Sequence, residues 1–158
     1  MSNLLSLLVE TADPRPEYLA KVLGVKQDEV ERELAELRDS KTILGWMPIL
    51  NPEKSASEEV RAVIEVKISP EREGGFDRMA LRISRFEEVE SCYLMSGGYD
   101  LLVFATGKTL NEVAAFISER LATIEGVLST ATHFLLRPYK ERKQMLVEDG
   151  LLEELSLI

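Results

Sequence analysis

Residues 89–106 read V-E-S-C-Y-L-M-S-G-G-Y-D-L-L-V-F-A-T, and this stretch decides the fold. Two apolar, strand-like runs, residues 92–95 and 101–105, flank Gly97-Gly98. A two-glycine link is a strong hairpin signal because tight primed turns need positive φ. A β-hairpin is therefore predicted. Its tip carries Ser96, Tyr99 and Asp100 beside backbone amides with no side chain in front of them, a candidate site.

Outward from the hairpin, residues 62–68 alternate around Val63-Ile64 and Val66, with Glu65 and Lys67 between, and read as a strand ended by Pro70. Phe76, Met79, Ala80 and Ile83 follow Gly74-Gly75 at helical spacing. Beyond the hairpin, Leu110, Val113, Ala114, Ile117 and Leu121 mark a second helix, which Thr109 caps with Glu112 as the capping-box partner. Gly126 ends that connection. Residues 127–136 then form a last strand, with Thr130, Thr132 and Phe134 on one face and Ser129, Ala131 and His133 on the other. The order βαββαβ is the ferredoxin-like arrangement, in which two helices cover one face of a four-stranded antiparallel sheet. The other face would be a large exposed apolar patch, so a second copy of the chain is expected to cover it, giving a homodimer.

Towards the amino terminus, Leu4, Leu5, Leu8 and Val9 mark a short helix that Ala12-Asp13-Pro14 breaks. A second helix starts at Pro16, shows Tyr18, Leu19, Val22 and Leu23 as its stripe, and is closed by Gly24. A third, residues 27–40, buries Val30, Leu34 and Leu37. Helix, glycine-containing turn, helix is a helix-turn-helix pattern. Residues 43–50 read as a short ribbon in which Gly45 permits a turn and Trp46 covers a small core, completing a winged unit. The fold class is thus α+β: a winged helix-turn-helix over residues 1–52, a polar linker over 53–59, the ferredoxin-like domain over 60–136 and a tail over 137–158. The tail opens with basic Arg137, Lys140, Arg142 and Lys143 and continues as an acidic amphipathic stretch containing Leu151, Leu152 and Leu155.

A DNA-reading third helix needs donors for base edges and cations for phosphates. Gln27 suits adenine, Arg32 guanine or phosphate, and Glu31 the cytosine amino group. Lys26, Arg38 and Lys41 are the other cations of residues 26–41, where four basic residues face six acidic ones. The whole chain carries a net charge of −9, which repels a phosphate backbone unless positive charge is gathered on one face.

The single cysteine, Cys92, excludes an internal disulfide and fits a reducing cytoplasm. The first ten residues hold too few apolar positions for a signal peptide or membrane span, so a cytoplasmic protein is expected. One histidine, no metal-ligand spacing, no glycine-rich phosphate loop and no G-x-S-x-G argue against an enzyme and against a resident metal or cofactor.

Across residues 1–140 the chain resembles the Lrp/AsnC, or feast/famine, transcriptional regulators. The resemblance is carried by Tyr93-Leu94-Met95-Ser96-Gly97-Gly98-Tyr99-Asp100-Leu101, Ile124-Glu125-Gly126-Val127 and Ser129-Thr130-Ala131-Thr132-His133-Phe134. Tyr18-Leu19-Ala20-Lys21-Val22-Leu23-Gly24 and Leu50-Asn51-Pro52-Glu53-Lys54 carry it in the first half. The resemblance implies an amino-terminal DNA-binding domain and a carboxy-terminal domain that dimerises through its sheet, often assembling to octamers, with small amino-acid effectors bound at the hairpin loop. It assigns the effector role to Ser96, Gly97, Gly98, Tyr99 and Asp100, and to Thr132 and His133 on a strand expected to run beside that loop. The third helix departs from the family habit of small hydroxyl residues and several arginines, having Gln27-Asp28-Glu29 at its start and only Arg32 and Arg38.

Overall fold

The computed structural model describes residues 3–51, 54, 55, 59–69 and 75–147. The chain divides into two compact units, Met1–Pro48 and Ile49–Ile158. Most of the expected linker and the acidic end of the expected tail lie outside the described residues.

The first unit is three helices, α1 (Asn3–Thr11), α2 (Pro16–Leu23) and α3 (Gln27–Asp39). Pro16 opens α2, where its missing N–H costs nothing. Gly24 closes it in the left-handed region at φ 70°, its N–H donating to the Ala20 carbonyl, which frees the chain to turn directly into α3. Leu4 and Leu8 from α1, Leu19 and Ala20 from α2, and Val30 and Leu34 from α3 form the core, with Leu37 and Ile43 packed on it. The ribbon expected over residues 43–50 is not there: this stretch has no paired strand. Trp46 does not cover the core, being 43% exposed, and Leu44 and Met47 are more exposed still. Two short strands have little to hold them together without a third strand or a helix beneath, and apolar side chains alone did not supply that partner.

In the second unit the sheet consists of β1 (Val60–Ile68), β2 (Val89–Leu94), β3 (Leu101–Gly107) and β4 (Val127–Phe134). All neighbours are antiparallel and the order is β2-β3-β1-β4, as the ferredoxin-like reading requires. Helices α4 (Gly75–Ile83) and α5 (Leu110–Ala115) belong to it, α5 running on into a π-helical turn, Phe116–Leu121. Thr109 Oγ1 accepts from the Glu112 amide at 3.1 Å, whereas the Glu112 carboxylate reaches back to the Lys108 amide rather than to that of Thr109. Alternation along the strands turns Ala62, Ile64, Val66 and Ile68 of β1 and Leu101, Val103 and Ala105 of β3 into one core with Met79, Ile83, Val113, Phe116, Ile117, Leu121 and Ile124. Half-buried Cys92 packs at its edge, and burial pushes its thiol pKa up, with a hydrogen bond to Ser84 opposing. A small hairpin follows, β5 (Lys140–Glu141) and β6 (Gln144–Met145), tied to β1 by Arg61, whose guanidinium lies 3.2 Å from both Glu141 and Glu90.

Gly126, where the chain enters β4, has φ +94°, and a Cβ there would meet Met79 Cε at 2.8 Å. Gly126→Ala is expected to remove about 1–3 kcal/mol through backbone strain and overpacking. The measurable sign is a lower urea midpoint with an unchanged slope.

Candidate functional site

Residues 95–100 join β2 to β3 in a loop longer than the two-glycine turn the sequence suggested, because the ladder stops at Leu94 opposite Leu101. The Met95 amide donates to the Asp100 carbonyl at 2.8 Å and closes the base of the loop. Of the two glycines only Gly97, at φ +130°, needs to be glycine on conformational grounds. Ser96, Gly97 and Gly98 are exposed, Tyr99 and Asp100 half-buried. Among the described residues nothing accepts a hydrogen bond from the successive amides of Ser96, Gly97, Gly98 and Tyr99. Exposed amides with no side chain in front of them at Gly97 and Gly98 are groups that can bond an anion.

Two bonds pin this tip to the interior strand. The Asp100 amide donates to the Val66 carbonyl at 3.0 Å, and the Ile68 amide donates to Asp100 Oδ2 at 2.8 Å. The backbone partners Val66 and Ile68 were not legible in the sequence, since nothing in a side-chain pattern marks which main-chain groups lack a ladder partner.

Thr132 and His133 are not beside the loop. β4 pairs with β1, not with the hairpin, so β1 and β3 separate these residues from β2. Thr132 stands opposite Ile64 and faces the core side, and His133 stands opposite Val63 on the side away from the helices. The expectation failed because adjacency was inferred from family resemblance, whereas antiparallel order in this topology sends the last strand to the far edge.

The helix-free face of the sheet carries Tyr93, Leu102, Phe104, Val63 and Ala131, alternating out of the core set. Tyr93 and Phe104 meet edge to face with ring centroids 6.1 Å apart. Arg61, Glu65, Lys67 and His133 surround this apolar centre, His133 Nε2 lying 3.6 Å from Glu65 Oε1. The signal for this face was present in the unbroken apolar run Leu101-Leu102-Val103-Phe104-Ala105, which a strand with one wet face does not show.

In the helical unit Lys26, Gln27, Glu31, Arg32, Arg38 and Lys41 are all exposed. Lys26 precedes α3 without capping it, and Gln27 Nε2 donates to Glu31 Oε1 at 2.7 Å, so these two polar groups engage each other in the free protein. Lys41 lies just past α3 at φ +55°. A cavity of about 340 Å³ opens at the other end of β3, lined by Glu88, Gly107, Glu112, Phe116 and Arg120 among others. Its charges are largely spoken for: Arg120 pairs with Glu88 and lies over the Phe86 and Phe116 rings, and Glu112 holds the Lys108 amide. Among the described residues no three His, Cys, Asp or Glu side chains are grouped to hold a metal, and no helix is long and apolar enough to cross a membrane.

The family described as the Lrp/AsnC ligand binding domain matches residues 61–145, which takes in the four-stranded sheet except Val60 and the small hairpin after it. This chain belongs to the Lrp/AsnC family. The uncharacterized HTH-type transcriptional regulator YugG of Bacillus subtilis is 41% identical over 140 residues, 88% of this chain and 84% of that relative. A proline dehydrogenase transcriptional activator of Rhizobium radiobacter is 27% identical over 123 residues, 78% of each chain. Among solved structures, AsnC of E. coli superposes with a TM-score of 0.66 at 18% identity, covering 89% of this chain and 95% of that one. A transcriptional regulator of Neisseria meningitidis in complex with L-methionine superposes at 0.65 with 25% identity, covering 87% and 88%. The Lrp/AsnC relatives are HTH-type transcriptional regulators, not enzymes.

Proposed function

We propose that this Lrp/AsnC chain is a cytoplasmic transcriptional regulator that binds double-stranded DNA through its helix-turn-helix and responds to a small amino acid held at the tip between β2 and β3. The observation that carries the reading is the row of acceptor-free amides from Ser96 to Tyr99, anchored to the middle of a sheet. An α-carboxylate fits such a row. The Neisseria relative, solved with L-methionine, supports the amino-acid class. Thr132 and His133 join the site only if another subunit brings its β4 to the tip.

Two chains pair through the helix-free sheet face, and further association of dimers, up to an octamer, closes the tip from solvent. DNA contacts come from Lys26, Gln27, Glu31, Arg32, Arg38 and Lys41. Because six acidic residues outnumber four basic ones along residues 26–41, affinity per helix is low and several helices acting together supply the grip. The effector acts by preferring one assembly, and hence one helix spacing, over another, with a coupling of about 1–3 kcal/mol.

A mobility-shift titration on the promoter beside the protein's own gene, at low and physiological salt, tests this. Binding should weaken as salt rises and its midpoint should move about five-fold or more when the right L-amino acid is added. The acidic character of α3 and the internal Gln27–Glu31 bond favour a second reading, a ligand-sensing oligomer without DNA affinity. Amino-acid binding with no shift at any salt concentration would decide for that second reading.

A further inference from the structure

β1 and β3 pair as far as Val66 opposite Leu101, and the same register would set Ile68 opposite Tyr99. By then the chain has left the ladder to make the tip. Ile68 is only 3% exposed, and the β1–β4 register also shifts between Lys67 and Ile68, so its amide sits where neither neighbouring strand continues regularly. The Asp100 carboxylate supplies the missing acceptor at 2.8 Å. Were that oxygen withdrawn, a buried N–H would be left without a partner, a loss larger than the net gain of an ordinary hydrogen bond.

We propose that Asp100 is a positioning residue, a strap that holds the ligand-binding tip on β1 through the Ile68 amide, and that it does not receive the ligand's ammonium group. This rests on the tip being the ligand site. Asp100 is bonded to the protein's own backbone through its N–H, to Val66, through its carbonyl, to Met95, and through its carboxylate Oδ2, to Ile68. An ammonium group drawing the carboxylate outward would undo the anchor that holds the four free amides in place. The strap also ends beside the start of β4, since Ile68 pairs with Val127 and the Ser69 amide donates to the Gly126 carbonyl at 2.8 Å. Ordering of the tip is therefore felt at the sheet's far edge through two consecutive backbone amides, that of Ile68 held by the Asp100 carboxylate and that of Ser69 by the Gly126 carbonyl.

The discriminating pair is Asp100→Asn, which keeps a carbonyl oxygen for Ile68 but loses the charge, and Asp100→Ala, which keeps neither. Amide hydrogen exchange of the full-length protein reads the strap directly. At Ile68 exchange should quicken about ten-fold or more in Asp100→Ala and stay within about three-fold of wild type in Asp100→Asn. Calorimetry with L-methionine and L-alanine as probes should follow the same order, with the dissociation constant within about three-fold for Asp100→Asn and weakened about ten-fold or more for Asp100→Ala. Unchanged Ile68 protection in Asp100→Ala overturns the strap. So does an Asp100→Asn protein that keeps Ile68 protected yet binds as poorly as Asp100→Ala, since charge would then be what the ligand reads. If no L-amino acid of the standard set binds wild type, the ligand reading falls, and the exchange data still decide the strap. Should Asp100→Ala fail to fold, Asp100→Asn with normal Ile68 exchange upholds it and Asp100→Asn with fast exchange overturns it.

Discussion

Phe104→Glu should abolish the proposed pairing of chains and leave monomer at micromolar concentrations. Phe104 lies on β3, an interior strand, opposite Val63 and edge-on to Tyr93, at the centre of the helix-free face. It is not part of the buried core on the helix side. A two-fold axis would place both copies of the substituted residue in one interface, so two carboxylates would be desolvated without partners, at a cost of several kcal/mol each. Even a loss of about 4 kcal/mol raises the dissociation constant about a thousand-fold. Light scattering on a size-exclusion column reads the mass, and circular dichroism shows the monomer still folded. A variant that stays dimeric at low micromolar concentration would move the interface elsewhere on the molecule.

Leu19→Ala should separate the two halves of the protein functionally. Leu19 has no exposure and sits in a core of six buried apolar residues among the described residues of the helical unit. Truncating a buried leucine costs about 2–5 kcal/mol. A unit the size of Met1–Pro48 has a total stability on the order of 2–7 kcal/mol. The helices should therefore melt at or below growth temperature and DNA affinity should fall more than about a hundred-fold, while amino-acid binding and dimerisation through the sheet persist. Thermal scans by circular dichroism would show an early helical transition ahead of an unshifted later one. Simultaneous loss of both activities in one transition would show that the units stabilise each other.

The helices and the strand order were legible because burial imposes periods of 3.6 and 2 on the apolar residues, and Leu4, Leu8, Leu19, Val30 and Leu34 or Ala62, Ile64 and Val66 obey them. The ribbon over residues 43–50 was misread because its apolar side chains satisfy a strand pattern without having a strand to pair with. Pattern records side chains, and pairing is a matter of main-chain partners. The helix after Thr109 was legible in its cap and its stripe, but not in its change to π geometry, which turns Phe116, Ile117 and Leu121 all inward. At the candidate site the glycines announced a turn, whereas its true length and the inward commitment of Asp100 depend on where the β1–β3 ladder runs out. Thr132 and His133 were placed by analogy, and only the order of strands shows that one chain does not bring them to the tip.

The half-buried thiol of Cys92 has a practical consequence. It is the only cysteine in the chain, and burial pushes its thiol pKa up, which favours the protonated, less reactive form. Native protein is accordingly expected to react more slowly with maleimides than an exposed thiol would. A single cysteine introduced at an exposed place away from the tip, such as Ser118, will accept a fluorophore or spin label in preference to the natural one, so distances between labelled copies become directly measurable in solution.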